Sequence, residues 1–193
     1  MQPAGQDWNL SSSLPLATLV MALAAGSWGV FAALVTLVSQ TFELSAPQFG
    51  LTLAVPAFVS TLLVWPLYRW AVHAANPGTV LLVVFLALTP SLAGLSLATR
   101  FSHLLLVGTG LGLVPGCFAI GLVYLRRLTL IPCRILATGL LTLCLLGIVF
   151  AYASTPLISE AFGWRFTPLM SIGLIVIAAS LLATLGEAPE NNV

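Results

Sequence analysis

The sequence predicts an all-α membrane protein of six transmembrane helices, and two observations carry that reading. The first is composition: of 193 residues, 60% are hydrophobic and 6% charged, with a mean hydropathy of +1.11. A soluble domain carries about a quarter charged residues, so this chain lacks the polar groups to clothe a globular surface. The second is the spacing of apolar runs, which reach the roughly twenty residues a span requires six times along the chain. With no water in the bilayer to satisfy an exposed backbone, helices are the spanning element at these lengths.

Taken in order, a tail of residues 1–15 precedes the first run, 16–38. The tail carries Asp7 and no Lys or Arg, so the run lacks the basic start of a secretory signal and reads as a retained span. The second run, 49–70, contains "LTLAVPAFVSTLLVWPLYRW", whose one charge, Arg69, sits at its far end. Asn76-Pro77-Gly78, a turn signal, introduces the third run, 79–98. Only Thr99-Arg100 and a few residues separate it from the fourth, 104–125, which makes those two spans antiparallel neighbours. The fifth, 135–154, follows the arginine-rich "RRLTLIPCR"; the sixth, 168–185, follows "TPLISEAFGWRF". Residues 186–193 form a short acidic tail. The six spans, 16–185, make one membrane domain.

Arginines orient the spans. Arg69, Arg126, Arg127 and Arg134 lie in the second-to-third and fourth-to-fifth connectors, against Arg100 and Arg165 in the others. The positive-inside bias places both termini in the cytoplasm, with the chain in a bacterial cytoplasmic membrane. Trp70 beside Arg69, and Trp164 beside Arg165, read as interfacial anchors. Gly108, Gly112 and Gly116 recur every four residues on one face of the fourth span, the small-residue pattern that lets backbones approach in lipid. Pro115 is expected to bend that span. "GTGLG" is not a phosphate loop, because the strand and βαβ unit it needs cannot exist inside a span.

Several function classes drop out. A net charge of +1 gives no basis for nucleic-acid binding. Cys117, Cys133 and Cys144 have no CxxC spacing and read as small apolar residues. His73 and His103 stand at span ends, so neither a metal nor a cofactor site is expected. There is no HExxH, no pair of mid-span acids and no Ser/His/Asp set, so an enzyme is not expected either. Asp7, Glu43, Glu160, Glu187 and Glu190 are all terminal or in connectors, leaving no intramembrane carboxylate for proton coupling.

Three stretches together resemble the N-terminal six-helix half of the major facilitator superfamily: "FELSAPQFGLTLAVP", the glycine-rich fourth span, and "STPLISEAFGWRFTPLMSIG" with its Gly163-Trp164-Arg165 turn. The resemblance covers nearly the whole chain. It implies one half of a two-half bundle, built of two inverted three-helix repeats, with substrate held between the halves. Within the superfamily the second span is most similar to the nitrate/nitrite porters. Stepping from Pro56, the porters carry a glycine, an anion-gripping arginine, a proline, a glycine and an acidic gate residue. Those places hold Ser60, Val64, Pro66, Tyr68 and Val72 here.

Only the proline agrees, so the frame matches while the substrate arginine and the gate motif are missing. Arginine grips an oxyanion through a bidentate, charge-assisted fork; valine has no donor. With the arginine's place held by Val64, the span side chains from which substrate contacts could be rebuilt are Ser27, Trp28, Ser60, Thr61, Tyr124 and Tyr152, although lone hydroxyls within spans more often join helix to helix. Beyond the lipid bilayer, the expected partner is a second copy, a companion half-transporter or a larger membrane complex. Two functions stay open: a half-sized facilitator moving a small solute such as nitrate or nitrite after pairing, and a non-transporting structural or assembly subunit.

Overall fold

Proline and small residues decide how the apolar runs become helices. A computed structural model describes residues 6–39, 41–128 and 133–185, with backbone alone for 6–13. Residues 1–5 and the predicted acidic tail, 186–193, lie outside the described residues. The helices are α1 (Gln6–Val38), α2 (Ala46–His73), α3 (Pro77–Leu86), α4 (Thr89–Ser96), α5 (Phe101–Leu111), α6 (Val114–Leu128), α7 (Cys133–Phe162) and α8 (Phe166–Leu185). Six stretches are long and apolar enough to cross a membrane, because α3 with α4 (Pro77–Ser96) and α5 with α6 (Phe101–Leu128) each form one span. Among the described residues there is no strand.

Both interruptions sit just before a proline. Pro90 has no N–H for the carbonyl of Leu86, and the Thr89 hydroxyl donates to that carbonyl instead, at 2.8 Å. Pro115 opens α6, and the turn before it tightens. Gly112 N–H reaches the carbonyls of Gly108 and Thr109, both at 3.2 Å, and Leu113 N–H that of Gly110. The bend expected at Pro115 is therefore a short break at residues 112–113.

Helix ends differ from the apolar limits for a plain reason: hydropathy marks depth in lipid, not helix length. α1 begins at Gln6, so part of the predicted tail is helical. α7 continues through Pro156 to Phe162, which shrinks the fifth-to-sixth connector to residues 163–165. Gly163 stops it: its φ of 86° is left-handed, and its N–H closes on the Ser159 carbonyl at 2.9 Å, a glycine cap. At other helix starts, Asn76 Oδ1 accepts from Gly78 N–H at 2.9 Å. Gln48 Oε1 accepts from Ser45 N–H at 3.0 Å.

The first span packs on the fifth, sixth and fourth, and the fourth packs on the second, third and first; the third and sixth also meet. Exchanging spans one, two and three with four, five and six leaves this pairing unchanged. Spans one and four run in opposite directions, so the relating axis lies in the membrane plane, as for two inverted three-helix repeats. Burial obeys the same exchange. The share of each membrane-crossing window that is buried is 67% and 56% for spans one and four, 39% and 28% for three and six, and 11% and 17% for two and five. Spans one and four are the centre; two and five are left bare.

Glycine seams make the tightest contacts. A Cβ on Gly29 would lie 2.5 Å from the Ile148 carbonyl oxygen, and one on Gly147 would collide with the Ala22 carbonyl, so α1 and α7 touch backbone to backbone. On the symmetry-related side, a Cβ on Gly108 would lie 3.3 Å from the Pro56 ring, and one on Gly112 2.6 Å from Val59 Cγ1; Gly116 faces Leu67. Around Gly139 nothing lies within 4 Å.

The two kinds of glycine should respond oppositely to alanine. Gly29→Ala has rigid backbone opposite it and is expected to cost about 1–3 kcal/mol by overpacking. Gly139→Ala, in open space, is expected to gain about 0.5–1 kcal/mol from helix propensity. Thermal unfolding of both variants in the same detergent separates them; a stable Gly29→Ala protein would disprove the seam.

Candidate functional site

A cleft of 480 Å³ is floored by α1 and walled by α7 and α8. Gly26 and Gly147 form part of its floor, where the Gly147 backbone lies too close to the Ala22 carbonyl to carry a side chain. α7 and α8 are tied near their connecting turn by the hydroxyls of Ser159 and Thr167, 3.3 Å apart. Hydroxyls line the cleft, yet apart from Thr167 each donates to its own helix. Ser27 donates to Leu23 O at 3.1 Å, Ser154 and Thr155 to Ala151 O at 3.2 and 2.7 Å, and Ser171 to Thr167 O at 3.2 Å. No charged residue lines it. Such a wall suits an apolar occupant and offers an anion nothing.

The residues nominated from the sequence are spread over four helices. Ser27, on α1, is buried and lines the cleft; Trp28 beside it is half-buried against the core. On α2, Ser60 and Thr61 both donate to the Ala57 carbonyl, at 2.7 and 3.0 Å, and Val64 is half-buried. Tyr124 is buried on α6 and lines a separate 220 Å³ pocket with Asn76, Gly78 and Thr79. Tyr152 is exposed on α7. Of the seven, only Ser27 reaches the larger cleft.

The anchors are better gathered. The Trp164 ring meets Phe42 edge-on at 6.3 Å and 84°, joining the first-to-second connector to the fifth-to-sixth. The Arg165 guanidinium stands 5.1 Å from the Trp164 centroid. Near the end of α2, exposed Arg69 and Trp70 share the last turn with His73, whose Nδ1 lies 2.8 Å from the Arg69 carbonyl.

Two features escape sequence reasoning. One is the set of cleft hydroxyls on α7 and α8, which lie partly in what reads as a connector. The other is Arg127, which from sequence is one more connector charge. Its guanidinium donates to the carbonyls of Val72 at 2.8 Å, Ala74 at 3.1 Å and Ala75 at 3.2 Å. These lie at the end of α2, where helix carbonyls have no intrahelical partner and the helix dipole favours a cation. Arg127 thus clamps the end of the second span to the end of the fourth. No local pattern announces a bond across more than fifty positions.

The pairing of spans, their inverted symmetry and the bare second and fifth spans give the chain the fold of one half of a major-facilitator-type membrane bundle. Comparison with known proteins agrees. The chain is 25% identical, over 182 residues, to the "Probable nitrate transporter NarT" of Staphylococcus carnosus, covering 93% of this chain and 47% of that protein. It is 24% identical to the Staphylococcus epidermidis protein of the same name, with 94% and 47% covered. It is also 24% identical to the "Nitrite extrusion protein" of Bacillus subtilis, with 86% and 42% covered. The chain therefore spans less than half the length of these relatives. No known family profile and no solved structure matches it. The resemblance to nitrate/nitrite porters read from the second span is borne out.

Removing the Arg127 clamp is expected to loosen one end of the bundle. Arg127→Ala should cost about 1 kcal/mol, the worth of charge-assisted bonds at an exposed site, whereas neighbouring Arg126→Ala should stay within about 0.5 kcal/mol. Hydrogen exchange of the 74–76 amides, faster in the first variant alone, is the readout. Equal exchange in both would remove the clamp.

Proposed function

We propose that the chain is the transporter-type half of a nitrate/nitrite-class permease, and that a solute path forms when a second six-helix half seats against its second and fifth spans. The observation that carries this reading is the similarity, over 93% of the chain, to transport proteins about twice as long. The bare spans support it. On α2, Leu51, Val55, Phe58, Leu62 and Trp65 follow a four-three spacing, with Phe58, Leu62 and Trp65 each 60% exposed or more. On α7, Gly139, Thr142, Leu146, Val149 and Ala153 repeat the same spacing with smaller residues, all but Leu146 no larger than valine. A 3.5-residue repeat is what a helix shows to a partner running alongside it, and bulky residues on one stripe suit small ones on the other. The arginine bias supports a bacterial cytoplasmic membrane with both termini inside.

A second reading, a non-transporting structural or assembly subunit, is favoured by one specific observation. Val64 stands where the porters hold their arginine, and every arginine of the described spans lies at or near a helix end. In liposomes the chain alone is expected to give no uptake of labelled nitrate or nitrite. Mild-detergent purification is expected to retain a partner, and Phe58→Ala with Trp65→Ala to release it. A six-helix companion that restores uptake would establish the first reading; a multisubunit complex without transport would establish the second. A protein that stays single and inert under all these conditions would sink both.

Val64→Arg is expected to restore part of the anion site. Nitrate at millimolar concentration should then raise the melting temperature of the variant and leave that of the unaltered protein unchanged. A nitrate response in the unaltered chain would show that binding does not need the missing arginine.

A further inference from the structure

The cleft between α1, α7 and α8 has a length, a wall chemistry and a charged mouth that together describe an occupant. Its lining runs from Thr167 to Ile175 on α8 and from Leu143 to Ile158 on α7. At 1.5 Å per residue that is about 12 Å on one wall and about 22 Å on the other. A single leaflet of a 30 Å hydrocarbon core is about 15 Å deep. The cleft thus opens near the Gly163-Trp164-Arg165 turn, at headgroup level, and reaches about the bilayer centre along α8 and past it along α7.

The walls are alkane-like. Leu143, Leu146, Phe150, Met170 and Leu174 line them, the Ser27, Ser154, Thr155 and Ser171 hydroxyls are turned back onto their own helices, and that of Thr167 pairs with Ser159. A transmembrane helix is 10–12 Å across, so one leaflet's length of it displaces roughly three times the 480 Å³ available. A thinner apolar chain fits. At the mouth, Arg165 is exposed, two residues before the lining Thr167. Its one contact among the described residues is the face of Trp164, and no carboxylate neutralises it. Arginine forks match phosphate oxygens.

We propose that this cleft is a phospholipid site: one acyl chain lies between α7 and α8 on the Gly26–Gly147 floor, and the phosphate of an anionic headgroup pairs with Arg165. The lipid completes the packing that α7 and α8, which touch little beyond Ser159 and Thr167, leave unfinished. This inference stands whether or not the chain transports anything.

Native mass spectrometry of the full chain, released from mixed phosphatidylglycerol and phosphatidylcholine micelles, tests it. The unaltered protein is expected to retain one phosphatidylglycerol, favoured about tenfold over phosphatidylcholine, whose choline cation offsets the phosphate charge that Arg165 meets. Arg165→Gln should erase that preference while keeping a lipid. Ser171→Phe, which fills the cleft, should lose the retained lipid with its helical circular dichroism intact. Equal retention of both lipids by the unaltered chain would overturn the headgroup assignment. Undiminished retention by a folded Ser171→Phe protein would overturn the cleft assignment. If Ser171→Phe does not fold, Ser154→Leu on the opposite wall is read in the same way. A second copy of the chain displacing the lipid would assign the cleft to self-association and overturn the proposal.

Discussion

Close approach of spans along glycine strips is the constraint on which the rest of the structure depends. Lipid tails are as apolar as leucine, so helices in a bilayer gain little from hiding apolar surface in one another. What remains is dispersion, which grows as backbones approach. α1 meets α7 through Gly29 and Gly147, and α5–α6 meet α2 through Gly108, Gly112 and Gly116. These two seams are exchanged by the inverted repeat. Each central span therefore holds one outer span by a glycine-rich strip, and the third and sixth spans close the remaining side. Because α2 and α7 are held along a single face, most of their surface stays bare, at 11% and 17% of their windows buried.

The same bundle keeps its polar groups to itself. Thr89 answers the carbonyl that Pro90 leaves free, and the hydroxyls of Ser60, Thr61, Thr155 and Ser171 bond carbonyls three or four residues back. Among the described residues no buried side-chain oxygen or nitrogen lacks a partner. A polar group satisfied inside its own helix is cheap to bury but holds a ligand poorly, since its donor is already engaged. These lone hydroxyls therefore serve their own helices, where the sequence reading expected them to join helix to helix. The bundle reads as a scaffold, and its chemistry belongs at its edges: the bare faces, the cleft and the interfacial arginines.

Much of this was legible in advance. Six runs of spanning length, the glycine repeat of the fourth span, and the Trp and Arg pairs at span ends follow from what a bilayer demands of any chain. Three things were not legible, each for a physical reason. Hydropathy does not mark where a helix continues into the headgroups, so the extension of α7 beyond Pro156 reads as a loop. The placing of a break depends on the turn before a proline, so Pro115 announces a disturbance that falls at Gly112 and Leu113. Long-range partners depend on rotation of one helix against another; Arg127 and the carbonyls of Val72, Ala74 and Ala75 have no mark in sequence that they meet. The same rotation decides that Ser27 reaches the cleft while Tyr152 faces outward. A candidate drawn from matching positions in a family fixes the place along a helix and leaves its facing open.

The missing arginine bears on which partner can serve transport. Moving a small ion into a medium of low dielectric costs of order 20 kcal/mol in the idealised limit, and several even after relaxation. An anion path therefore needs a fixed cation near its middle. In the described spans the arginines stand at helix ends, and Val64 takes the porter position. Two copies of this chain, paired about an axis along the membrane normal, would duplicate that deficit, since neither brings an arginine to the porter position. Anion transport under the proposed pairing consequently requires a companion half that differs from this one and carries its own deep cation. A pair of identical copies fits an uncharged solute or no solute at all. Partner identity and substrate charge are thus one question, and both turn on a single uncharged position in the second span.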